Sequence, residues 1–232
     1  MEGGIVKGIR VAPTCRAIPV LLLLVAVGVL SAPASGLAAA GAAPLAWDAA
    51  RPITWSDFRG RAPANAASMT QAAAIHMTLG WHAVLNVTWE ERTRRWQGVI
   101  DRAAVTVTNT MEPLESWVAL GKERSEVLQH EQRHFDLNEV YRRRLFSALA
   151  GLRAEGTTRA AAEQALRDAL QETSSRLLAQ ASEAQARYDE ETSHGTNALK
   201  QAEWSASIAS WLTSLPLPPQ EGKPQTRPGF GG

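Results

Sequence analysis

The apolar positions of this chain change their period half-way along. From about residue 68 to 109 they favour alternation. Val84, Val87 and Trp89 lead into a charged turn at 90–95, and Ala104-Val105-Thr106-Val107-Thr108 is β-branched and alternating. This half predicts a small antiparallel sheet. After residue 124 the period becomes helical. Ser125 reads as an N-cap before Val127 and Leu128, and Leu137, Tyr141, Leu145 and Leu149 carry the pattern to Gly151. Thr157 or Thr158 reads as the next cap. It precedes a long helix with Leu166, Leu170, Leu177, Ala181, Ala184 and Tyr188 on one face, stopped by Gly195. A last helix places Trp204, Ile208 and Trp211 together. The segregation of strands from helices predicts an α+β domain.

The ends look different. Lys7, Arg10 and Arg16 precede an apolar run of 13 residues, Ile18 to Leu30, and small residues follow at 32–34 and 38–40 in A-x-A spacing. Residues 1–40 therefore read as a secretory signal peptide, and the run falls short of the ~20 residues of a spanning helix. An uncleaved anchor is the second reading. Residues 41–50 read as a linker, 41–215 as one domain, and the Pro/Gly-rich stretch 216–232 as a disordered tail.

Composition narrows the chemistry. The formal charge is +1, and signal cleavage would take it to −1, which gives no basis for nucleic-acid binding. The single cysteine, Cys15, lies ahead of the apolar run, so the exported chain would carry neither disulfides nor thiolate ligands. Any metal site must use His, Asp or Glu. Eight tryptophans, seven of them between residues 47 and 204, argue for a packed core.

Candidate chemistry concentrates at His130-Glu131-Gln132-Arg133-His134. On a helix, positions 130 and 134 differ by about 40° in azimuth, so both imidazoles can reach one ion. Glu131 lies about 100° away, placed to reach a water on that ion. This H-E-x-x-H spacing suits zinc bound by two His, with Glu as general base. Leu137 and Tyr141 fall within about 20° of His130, so the histidine face is also the buried face.

A catalytic zinc site needs a third protein ligand. Asp136 and Glu139 lie about 240° and 180° from His130 and face away from it on a straight helix, so Glu139 is a candidate ligand only if the helix breaks. Glu139 is better placed to pair with Arg142 or Arg143. His194 sits at a helix end from which the chain can turn back, and by position it reads equally as a ligand or as an imidazole at the helix C-terminus. Glu183 is a further candidate. His76 and His82 read as surface or core-edge histidines, Tyr141 and Tyr188 as core residues with a satisfied hydroxyl, Trp204 and Trp211 as packing residues, and Arg142-Arg143-Arg144 as a solvated face.

The stretch His130 to Glu139, HEQRHFDLNE, resembles the signature of a bacterial family described as predicted secreted zinc-dependent proteases. ITWSDFRG near residue 53, Ser116-Trp117-Val118, and YDEETSHG followed by Gln201 and Trp204 resemble it too, so the likeness runs from about 47 to 212. The resemblance implies a zincin-like domain, with a small antiparallel sheet packed on an active-site helix and a long second helix. It implies zinc held by His130, His134 and His194, and Glu131 as base. A periplasmic or extracellular metallopeptidase acting on peptide or protein substrates is the expected function, without a stable membrane anchor after signal cleavage. The rival expectation is a non-catalytic zinc-binding envelope protein, its metal closed off by a fourth protein ligand such as Asp189.

Overall fold

Strands and helices separate as the pattern predicts in the computed structural model, which describes residues 4–7 and 42–217. In chain order the strands are β1 (Gly4–Lys7), β2 (Leu45–Ala46), β3 (Ala73–Ala74), β4 (Met77–Glu90), β5 (Arg95–Ile100), β6 (Thr106–Met111), β7 (Trp117–Val118) and β8 (Arg153–Gly156). The helices are α1 (Ser125–Ala150), α2 (Arg159–Thr192) and α3 (Ala198–Ser214). The described residues thus form an α+β fold with a small antiparallel sheet and three helices.

The long strand β4 organises the sheet. Its first half, Met77–His82, pairs antiparallel with β6, and its second half, Leu85–Glu90, pairs with β5. β1 pairs with β4, β2 with β6 and β8 with β5, while β3 and β7 make a separate two-stranded ribbon. Along the first half of β4 burial alternates residue by residue, so one face carries Met77, Leu79, Trp81, Ala83 and Leu85 into the core. Leu145, Phe146 and Leu149 of α1 and Leu166, Leu170 and Leu177 of α2 pack against that face.

Two sequence expectations change, and one strand was not anticipated. The described part of the expected linker, 42–50, is tied down: Leu45–Ala46 pairs with the β6 edge, and the Trp47 indole N–H donates to Asp136 at 2.9 Å. Alternation is too weak to mark β8, whose order comes from β5 and from close packing under α2. A Cβ at Gly156 would lie 2.3 Å from the Ala162 nitrogen, so only glycine admits this approach. Arg142 and Arg143 are buried rather than solvated. Both surround the fully buried Glu139 carboxylate, with donor distances of 2.6 and 2.9 Å from Arg142 and 2.8 Å from Arg143.

The helix boundaries fall close to expectation. Arg124 is the N-cap of α1 and Ser125 is already helical, so the cap lies one residue before the predicted position, and Gly151 is the C-cap. Thr158 caps α2 by accepting from the Ala161 N–H. Trp204 and Ile208 of α3 bury against Leu137, Val140 and Tyr188. No helix among the described residues is long and apolar enough to cross a membrane. The apolar run and cleavage spacings of the expected signal, and residues 218–232 of the expected tail, lie outside the described residues.

Candidate metal centre

Helix α1 carries His130, Glu131 and His134 on its inward side, and all three are buried. The last turns of α2 cross this face and deliver Asp189. Its Oδ1 lies 3.1 Å from His130 Nε2 and 2.9 Å from His134 Nε2, and the two Nε2 atoms are 3.1 Å apart. Among the described residues His130, His134 and Asp189 form a group able to hold a metal ion, with ligand atoms all within 4.8 Å of one another.

Two glutamines orient the imidazoles. The Gln185 side-chain amide donates to the His134 carbonyl at 3.0 Å, which turns its Oε1 toward His134 Nδ1 at 2.7 Å. The Gln201 amide donates to the Tyr188 hydroxyl at 2.6 Å, and its Oε1 lies 3.1 Å from His130 Nδ1. An amide oxygen only accepts, so each Nδ1 bears a hydrogen, and each Nε2, when unprotonated, has its lone pair available toward the Asp189 side. Tyr188 completes the support. Its ring stacks on His130 with centroids 4.7 Å apart, and its hydroxyl donates to the His130 carbonyl at 3.3 Å.

Lone pairs of two imidazoles and a carboxylate oxygen cannot converge without a cation between them. A proton is one such cation. Burial pulls the His134 imidazole down, but the hydrogen bond and charge of Asp189 outweigh it and push it up to about 9. A zinc ion fits the same donors: bonds of about 2.0–2.1 Å imply tetrahedral edges of about 3.3–3.4 Å. The observed separations of 2.9–3.1 Å are close to that spacing. Paired Nδ1–H donors of the kind seen here are the usual outer support of metal-binding histidines.

His194 stands beside the group. Ser193, His194 and Gly195 all have positive φ, at 48°, 51° and 80°, so the chain leaves α2 through a left-handed turn. A Cβ on Gly195 would come within 3.0 Å of His130, so glycine lets this turn lie against the ring. His194 Nδ1 is buried, makes no hydrogen bond, and lies 3.4 Å from Asp189 Oδ1. Its side chain is 34% exposed, against 5–6% for His130, His134 and Asp189. The turn singled out in the sequence thus lies beside the group, while Asp189, expected only as the closing ligand of a structural site, lies nearer to both Nε2 atoms.

The remaining sequence-predicted residues lie apart from the group. Glu139 is tied to the arginines, and Glu183 is exposed on α2. His82 is half-buried on β4, His76 pairs with Glu115 at 3.1 Å, and Tyr141 is a buried core residue. Sequence reasoning missed Gln185, and also the Ile75 N–H that donates to Glu131 Oε2 at 2.9 Å. The signal for Gln185 lay in its spacing: it precedes Asp189 by four residues, so one face of α2 presents both to the histidine pair. Burial raises the Glu131 carboxyl above its ordinary value, opposed by the neighbouring His134 and His130. Replacing Gln185 by Ala should weaken zinc binding by about 10–100-fold without unfolding the chain, as a competition titration against a chromogenic chelator would read.

A buried two-histidine, one-carboxylate centre on an α+β scaffold defines a candidate metalloprotein. The chain belongs to the family described as "Bacterial protein of unknown function (DUF922)", whose model matches residues 53–195. That span holds the α1 pair, Gln185, Asp189, His194 and Gly195. Neither a curated protein nor a solved structure matches the chain.

Proposed function

We propose that this protein is an exported, zinc-dependent hydrolase of peptide bonds, of zincin type, with His130, His134 and Asp189 as metal ligands and Glu131 as general base. The observation carrying the reading is the convergence of both Nε2 atoms and Asp189 Oδ1 beside a buried carboxylate that binds none of them. Zinc bound there would supply Lewis acidity, lowering the pKa of water and polarising a scissile carbonyl. Glu131 takes the proton from the attacking water and passes it to the departing amine. The Ile75 N–H fixes its position. Gln185, Gln201 and Tyr188 hold the rings so that these transfers start from a prepared geometry. The signal-like N-terminus supports an exported protein, with a substrate in the bacterial periplasm or outside the cell.

The test uses the zinc-loaded chain and fluorescently labelled casein. Glu131→Gln should retain zinc and lose about 100-fold or more of the hydrolysis rate. Hydrolysis unchanged by the substitution would overturn the mechanism.

One observation favours a second reading. With His194 Nδ1 making no hydrogen bond and lying 3.4 Å from Asp189 Oδ1, four protein groups are at hand, enough to close a structural zinc site. On that reading the protein is a non-catalytic zinc-binding envelope protein, and its metal-loaded form cleaves nothing.

A further inference from the structure

A cavity of about 320 Å³ opens beside the centre, with Glu131, His134 and Gln185 in its wall. Its opposite side comes from the 63–77 segment and from β7, through Pro63, Met69, Ile75, Met77 and Trp117. Most of its inner polar groups are already engaged. Glu131 accepts from Ile75, Gln185 uses both ends of its amide on His134, and His76 pairs with Glu115. What remains for a ligand is mainly thioether, aliphatic and indole surface. Asn65 and Gln71 also border the space. Two carboxylates line it, and no lysine or arginine does.

We infer that this cavity is the specificity pocket of the site and receives a bulky apolar side chain of the substrate, with Trp117 and Met69 as the residues that select it. The inference rests on the proposed metal-dependent function and names its substrate class: peptides bearing a large apolar residue next to the bond that reacts. Size supports this, since the volume lies at the lower end of ligand pockets and suits one or two side chains. Charge supports it as well. An acidic side chain would meet the carboxylates of Glu115 and Glu131 where no lysine or arginine lines the space, and a glycine would leave the apolar wall uncovered. Trp117 is the largest apolar side chain in the lining. Met69, partly exposed at the mouth, can adapt to side chains of different shape.

The experiment measures binding of amino-acid hydroxamates, small bidentate zinc chelators, to the zinc-loaded full chain by calorimetry. Leucine and phenylalanine hydroxamates should bind at least about tenfold more tightly than glycine and aspartate hydroxamates, since each buried methylene group favours binding. In Trp117→Ala, and independently in Met69→Ala, the preference should fall while the affinity for glycine hydroxamate stays near that of the parent. Met69 lies at the surface, so its variant keeps the test sound if Trp117→Ala fails to fold. Equal affinity across the series, or a preference that both variants retain, would overturn the pocket assignment and leave the metal reading standing. A chain that binds no zinc, or holds zinc and binds none of the hydroxamates, would overturn the metal-dependent reading, and the pocket assignment with it.

Discussion

Glu139→Ala should destabilise the fold by about 3–5 kcal/mol, the range for removing one partner of a buried ion pair. Glu139 is fully buried at the centre of a three-way junction. Arg142 donates to it and to the Val107 carbonyl of β6 at 3.1 Å, while Arg143 donates to it and to the Leu212 and Leu215 carbonyls at the end of α3. Without the carboxylate, two guanidinium groups stay buried with only main-chain acceptors, and the links from α1 to the sheet and to α3 lose their shared anchor. Urea unfolding reads the change as a lower midpoint at unchanged slope. A shift below about 1 kcal/mol would mean that water or a rearranged helix end solvates the arginines as well as Glu139 does. Folded Glu139→Ala should still bind zinc, because the side chain points away from the histidines.

Asp189→Asn should reduce zinc affinity by about a thousandfold or more, equivalent to about 4 kcal/mol. The amide keeps the size of the carboxylate and removes the charge that faces both Nε2 atoms. His194→Ala should cost much less, about 10–100-fold, as expected for a group outside the ligand set. Paired zinc titrations of the two variants order these roles. If His194→Ala abolished binding and Asp189→Asn preserved it, His194 would take the inner position that the family resemblance implies.

The sequence is legible where local physics decides. The change of period separates sheet from helices, Thr158 marks a helix start, Gly195 falls in the turn that follows the α2 cap at Ser193, and an azimuth of about 40° puts two histidines on one face. Charge placement on α1 is legible too, since about 180° separates Glu139 from His130 and three to four residues separate it from its arginines. What escapes is set by distant chain segments. β8 and β2 owe their order to strand edges supplied by β5 and β6, and Arg142 and Arg143 are buried because the sheet and α3 close over them. Asp189 is visible as a residue but not as the inner carboxylate. Its choice over His194 depends on how α2 crosses α1, near the end of a 34-residue helix. Gln185 and Gln201 show the same limit, because an amide gains its role only from the ring it meets.

The measurement that tests the central claim most directly is the metal content of the purified chain by mass spectrometry, before and after zinc reconstitution and dialysis. One zinc per chain, displaced by a chelator and restored on adding zinc back, is the expected result. No retained zinc under any of these conditions would contradict the account, leaving His130, His134 and Asp189 as a proton-bridged core cluster.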